Sequence, residues 1–185
     1  FIKNDTFRKR IKWLTLSKYR FIHISELFDY LSGKITSHPS VLLTIDDGWK
    51  SACELALPIL KENHIPHVIY LYTDCFQRNI PVVNVLLQYA LWKSPLTHVE
   101  VEGQSYSLSA VQDSATLVDH FNRTTQGLDG DALNRELAKI FHHLSVDYSR
   151  DADWENFRLL NEKELGAHLE HGGTIQLHTH NHNNP

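Results

Sequence analysis

The chain has 185 residues, of which 42% are apolar and 22% charged, and its formal net charge is -4. That length carries one domain with a real core, and the balance of residue types is that of an ordinary soluble globular protein. Lysine and arginine are scattered, so no basic stripe offers a footprint for nucleic acid or an anionic membrane surface, and no apolar run approaches the length of a membrane span. Cys53 and Cys75 are not spaced as a metal-ligand pair; buried thiols are the default reading and one disulfide the alternative. A chain that begins at Phe1 and contains no methionine is expected to be part of a longer product, with room for a signal peptide or lipid anchor ahead of it.

In chain order, Phe7, Ile11 and Leu14 recur at helical spacing, with Asp5 or Thr6 placed to cap that helix. Phe21 to Ile24 suits a short strand. Ser25 stands at an N-cap position before Leu27, Phe28 and Leu31, and Gly33 closes the helix. Val41 to Ile45 is a nearly continuous apolar run, the pattern of a strand buried on both faces of a parallel sheet, and it ends in Asp46-Asp47-Gly48. A helix follows to about Asn63, with Pro58 opening its second part. His67 to Tyr72 is the next buried strand.

Residues 76–158 read differently, as an insertion with a small core of its own. Pro81 to Trp92 is an apolar helix, and His98 to Leu108 alternates around Gly103-Gln104 as a hairpin. Helices follow near 110–126 and 131–145, the second with an apolar stripe of Leu133, Leu137, Ile140 and Leu144. The strand and helix rhythm then resumes. Asn161 and Glu164 form a capping pair, the helix runs to about His171, and Gly172-Gly173 ends it. Thr174 to Leu177 is another apolar strand, running into His178-Thr179-His180-Asn181-His182.

Strands alternating with helices predict an α/β fold with a parallel sheet or barrel, in which functional residues gather at the C-terminal ends of strands. Two strands here end in potential metal ligands, one in Asp46-Asp47 and the other in His178, with His182 four residues later. Two imidazoles and one carboxylate make a facial site that leaves positions open for water or substrate, suited to zinc, cobalt, iron or nickel. The second carboxylate is then available as a general base beside an activated water. Each piece has a plainer reading by itself: Asp-Asp-Gly is ordinarily a solvated turn, and a lone histidine is ordinarily structural or exposed. The Thr and Asn that interrupt the histidines argue against an affinity tag. It is the coincidence at two strand ends that points to a site. His180, between the others, is left out of it. His23, His64, His67, His98, His120, His142, His143, His168 and His171 default to surface or core positions.

At these residues the chain resembles the polysaccharide deacetylase family, also called the NodB-homology group or carbohydrate esterase family 4. Thr44-Ile45-Asp46-Asp47-Gly48 matches the family's first motif, T-F-D-D-G, with Ile for Phe. His178-Thr179-His180-Asn181-His182 matches the second, H-[ST]-x-x-H, with Asn183 where Pro usually follows. Ala56 to Lys61 with Ile65-Pro66, the lead-in through Phe21-Ile22, and Leu160 to His171 are also similar to family segments. Residues 76–158 are similar to a large insertion that some members carry before the second motif.

The resemblance implies a distorted (β/α) barrel of the NodB type, here an incomplete N-terminal portion spanning 1–185. It implies a metal-dependent hydrolase that removes acetyl groups from N-acetylated sugars or polysaccharides, in cell-wall or exopolysaccharide modification. Such enzymes are placed outside the cell, in the periplasm or in the envelope. Asp46 would be the general base, and Asp47, His178 and His182 the ligands of a divalent metal, zinc first and cobalt, nickel or iron after it. Thr179 would steady the second-motif loop, and Trp49 is a candidate for stacking on a sugar ring, with core packing as its alternative. The family's later motifs, which supply an Arg, an oxyanion donor and a His acting as general acid, find no match before Pro185. Half of a barrel of roughly 250 residues leaves open sheet edges, to be closed by more chain, another chain or a second copy in a homo-oligomer. Two alternatives stay open: a catalytically inactive relative that binds glycan or metal, and a deacetylase of small N-acyl substrates.

Overall fold

The computed structural model describes residues 3–35 and 38–180. The chain forms a mixed α/β fold that divides into two compact units, one of residues 1–77 with 159–185 and the other of 78–158.

The first unit opens with helix α1 (Asn4–Leu16), which buries Ile11. Lys3, not Asp5 or Thr6, is its N-cap, and it makes no side-chain capping bond. The short strand β1 (Arg20–Phe21) pairs in parallel with β2 (Ser40–Val41). The strand expected over Phe21 to Ile24 is therefore cut short, because a 3₁₀ turn begins at Ile24. Its cap is His23 rather than Ser25: the Glu26 carboxylate accepts from the His23 backbone N–H at 2.9 Å, while the His23 ring accepts from the Ser25 N–H. Helix α2 (Leu27–Leu31) follows.

The apolar run from Val41 is also divided. Val41 pairs with Phe21, and a new strand, β3 (Leu43–Asp47), starts after Leu42. In β3, Thr44 and Asp46 are exposed and the other three residues are half-buried. The expectation of burial on both faces fails here because β3 flanks its sheet. The doubly buried strand is β4 (His67–Leu71), which lies between β3 and β7 (Gly173–Leu177) in a wholly parallel three-stranded sheet. β7 flanks the other side, and its last two residues, Gln176 and Leu177, are exposed.

One face of that sheet packs against the helices of the unit. Ile45, Ile69 and Ile175 stand in register across the three strands. Ile69 and Leu71 pack with Leu160, with Leu165 of α9 (Glu162–Leu169) and with Phe76 of α4 (Thr73–Arg78). Leu43 and Ile45 join Ile11, Ile65, Ile59 and Leu60, the last two from α3 (Leu57–Glu62). Pro58 does open α3, as expected, and a π-turn over Ala52–Ala56 precedes it. Proline lacks an N–H and crowds the carbonyl four residues back; the wider turn, closed by Leu57 N–H on the Ala52 carbonyl, accommodates it. The capping box of α9 forms as anticipated: the Asn161 side chain accepts from Glu164 N–H, and the Glu164 carboxylate accepts from Asn161 N–H, both at 2.9 Å.

The second unit contains α5 (Val83–Lys93), the antiparallel hairpin β5 (His98–Val101) and β6 (Gln104–Ser107), α6 (Val111–Thr125), α7 (Gly130–His143) and α8 (Arg150–Phe157). The hairpin turn is Glu102-Gly103, both with positive φ (52° and 78°), one residue earlier than expected. Two left-handed residues are what a tight hairpin turn requires. The stripe of α7 is buried as its spacing predicts: Leu133, Leu137, Ile140 and Leu144 all face the core. Neither α8 nor α4 was anticipated from periodicity; α8 buries no residue, so it has no apolar stripe to show. No helix among the described residues is long and apolar enough to cross a membrane.

Candidate metal centre

The parallel register places the C-terminal ends of β3, β4 and β7 on one rim, with Asp47, Leu71 and Leu177 at the same level. Functional residues of parallel sheets collect at that end. The chain leaves β3 by an abrupt turn. Asp47 has φ 65° and Gly48 φ 78°, two consecutive left-handed residues. That conformation costs a non-glycine residue about 1–2 kcal/mol, although Asp tolerates it better than most. The turn is pinned on both sides. Tyr72 N–H donates to the Asp47 carbonyl at 3.2 Å, and Leu160 N–H to the Gly48 carbonyl at 2.7 Å. The left-handed backbone angle disfavours any side chain at Gly48, and a β-carbon there would stand 2.7 Å from Leu71 Cδ1, which would have to shift.

β7 continues past Leu177 with His178, whose backbone N–H donates to the Leu71 carbonyl at 3.0 Å. This carries the His178 ring to the Asp47 carboxylate, with Nε2 at 3.6 Å from Oδ1 and both side chains partly exposed. The other carboxylate oxygen, Oδ2, accepts from the indole N–H of Trp49 at 3.1 Å. Asp46 lies on the opposite side of β3, with Thr44, and is exposed.

Asp47 and His178 are thus brought together, and their spacing suits a shared ion. Nitrogen and oxygen ligands at about 2.0–2.2 Å from a tetrahedral metal stand roughly 3.3–3.5 Å apart. The donor chemistry, one carboxylate and one imidazole, is that of a borderline divalent ion such as zinc. Among the described residues no group of three His, Cys, Asp or Glu donors converges. His182, the expected third ligand, lies outside the described residues.

The second-motif loop is held by a part of the chain that sequence reasoning did not single out. The Thr179 carbonyl accepts from Thr73 N–H at 3.1 Å, and the His180 carbonyl from Asp74 N–H at 2.9 Å. These are the first residues of α4, whose opening N–H groups have no partner within the helix. The loop caps the helix, and the helix steadies the loop. The Thr73 hydroxyl adds a contact of 3.0 Å to His180 Nδ1. The available signal was positional: Thr73 follows β4 at the same rim.

A model of the family described as polysaccharide deacetylase matches residues 33–185, a span that holds both motifs. No curated protein matches the chain. Among solved structures, the chain is similar to IcaB from Ammonifex degensii, with 32% identity over 40% of this chain and 32% of that one, at a TM-score of 0.38. It is similar to a de-N-acetylase from Aggregatibacter actinomycetemcomitans, with 18% identity over 64% of this chain and 41% of that one, at 0.35. It is also similar to the Streptococcus pyogenes deacetylase PplD, solved in complex with acetate, with 13% identity over 98% and 83% of the two chains, at 0.40. The chain therefore spans about a third of the first of these relatives and two fifths of the second.

Proposed function

The chain belongs to the polysaccharide deacetylase family, and we propose that it carries the metal-binding half of a hydrolase that removes acetyl groups from N-acetylated sugars or polysaccharides. The observation that carries this reading is the approach of Asp47 Oδ1 and His178 Nε2 to 3.6 Å at the ends of two parallel strands. Both residues lie inside the two motifs that the family match covers.

In this reading Asp47, His178 and His182 hold one divalent ion, zinc ahead of cobalt, nickel and iron. Bound there, the ion acidifies water and polarises the acetyl carbonyl. Asp46, next to Asp47 in sequence and exposed on the other side of β3, is assigned the general-base role on the strength of the motif match, taking a proton from the attacking water as its side chain turns to the rim. The water oxygen bonds to the acetyl carbon and the C–N bond breaks, giving acetate and an amine that takes up a proton. Thr179, whose carbonyl accepts from Thr73 N–H, steadies the loop that follows His178. The half-buried Trp49 is the candidate surface for a sugar ring. In the same reading the β3, β4 and β7 sheet is part of a NodB-type barrel, and residues 76–158 are an insertion in it.

The test is acetate release from N-acetylglucosamine oligomers, measured as prepared, after chelation and after adding back zinc. Release that chelation abolishes and zinc restores is the expected result. Metal bound stoichiometrically with no acetate released from oligomers or small N-acetyl sugars would overturn the hydrolase reading and leave a binding protein.

A further inference from the structure

We propose that Trp49 is a positioning residue for the metal-binding carboxylate, an assignment that rests on reading Asp47 as a metal ligand. A carboxylate at the end of a two-bond side chain can rotate, and a rotating ligand loses affinity each time it must be reoriented. Here the two oxygens are differentiated. Oδ2 accepts the Trp49 indole N–H at 3.1 Å, and Oδ1 faces His178 Nε2 at 3.6 Å. The indole N–H only donates. It therefore cannot compete for a cation, and by engaging Oδ2 it sets the rotation of the whole carboxylate.

Trp49 is itself held at both ends. Its backbone forms an antiparallel bridge with Leu159, next to the Leu160 N–H bond to the Gly48 carbonyl at 2.7 Å, and Leu160 is fully inside the core. Its carbonyl accepts from Ala52 N–H at 2.8 Å, at the start of the following helical segment. The backbone that carries the donor is thus tied to segments that lead into the core. Hydrogen bonds of this kind, one step removed from the metal, typically change affinity by roughly 10–100-fold.

Two measurements test the assignment. The first is the dissociation constant for zinc and for cobalt, by competition with a chromogenic chelator, in wild type and Trp49→Phe, together with the cobalt visible spectrum. Trp49→Phe keeps the ring and removes the donor. The expected result is a 10- to 100-fold weaker constant and an altered cobalt spectrum, with circular dichroism and melting unchanged. Equal constants and spectra in the two proteins would overturn the role of Trp49 alone; a wild type that takes up neither metal would overturn the ligand reading of Asp47 and this role with it. The second measurement does not depend on how Trp49→Phe folds. In metal-free protein the indole proton resonance of Trp49 should move upfield in Asp47→Ala, as its bond to a carboxylate is lost. A resonance indifferent to Asp47→Ala would contradict the proposal.

Discussion

His67 of β4 and His168 of α9 share a hydrogen bond of 2.8 Å, Nε2 to Nδ1, entirely inside the core of the first unit. The rest of the network fixes their tautomers. His67 Nδ1 lies 3.2 Å from the Ile65 carbonyl, which can only accept, so Nδ1 carries the proton and Nε2 accepts from His168 Nδ1–H. His168 Nε2 is then a buried lone pair with no partner among the described residues. Burial lowers both rings below the usual histidine value. The Ile65 carbonyl partly offsets this for His67, and His168 falls to about 4, pushed further down by His67 and His171 and partly held up by Glu164.

Acid should therefore destabilise the first unit before its carboxylates titrate. The unfolded chain binds protons at these histidines near the ordinary value of about 6.5, and the folded chain binds them at a lower pH, at about 4 for His168. Their contribution is fully present above about pH 6.5 and is lost as pH falls from there towards 4, with a slope of up to about 1.4 kcal/mol per unit for each ring. Urea midpoints at pH 7.5, 6.5, 5.5 and 5.0 check this. A flat profile across that range contradicts the neutral, buried pair.

Gly173 sits against the same pair. A β-carbon there would stand 2.5 Å from the His168 carbonyl oxygen and 2.9 Å from His67 Nε2. Because the first neighbour is backbone, the clash is not relieved by a rotamer change. Gly173→Ala is expected to cost about 1–3 kcal/mol, the range of overpacked cores. A variant within about 0.5 kcal/mol of wild type, the ordinary surface range, would show that α9 and β7 can part.

Removing the Asn161 cap should cost about 1 kcal/mol, since Asn161→Ala strips one half of a reciprocal capping box and leaves the N-terminal N–H groups of α9 to water. Equilibrium unfolding in urea reads this directly. An unchanged midpoint would mean that packing of Leu165 alone holds the helix.

That box was legible because its signal is local: two residues at fixed spacing ahead of an apolar run. The α7 stripe and the strands at β4 and β7 were legible for the same reason. What could not be read depended on neighbours distant in sequence. Val41 to Ile45 looks doubly buried until β4 and β7 take the middle and the other edge of the sheet, which leaves Thr44 facing outward with Asp46 after it. The cap on the turn at Ile24 is a histidine, a residue that capping preferences do not favour. At the rim, the pairing of Asp47 with His178 followed from two strand ends that had to be parallel neighbours of one strand. The bond from Trp49 to Asp47, and the support of Thr179 and His180 by Thr73 and Asp74, are contacts that no spacing encodes.

The two adjacent aspartates should separate by experiment. Asp47→Ala is expected to lose metal and turnover together. Asp46→Ala is expected to keep metal and lose turnover by about 10²–10⁴-fold, the usual weight of a general base. Metal analysis paired with the acetate assay distinguishes them, and full activity in Asp46→Ala would remove it from the reaction.

The most direct test of the proposed metal centre is the metal content of the purified, tag-free protein after dialysis, beside that of the His178→Ala/His182→Ala variant. About one divalent ion per chain in the wild type, absent from the variant, is the predicted result. No metal in the wild type, and none taken up from zinc, cobalt or nickel, would contradict the account, as would a metal content that the double substitution leaves unchanged.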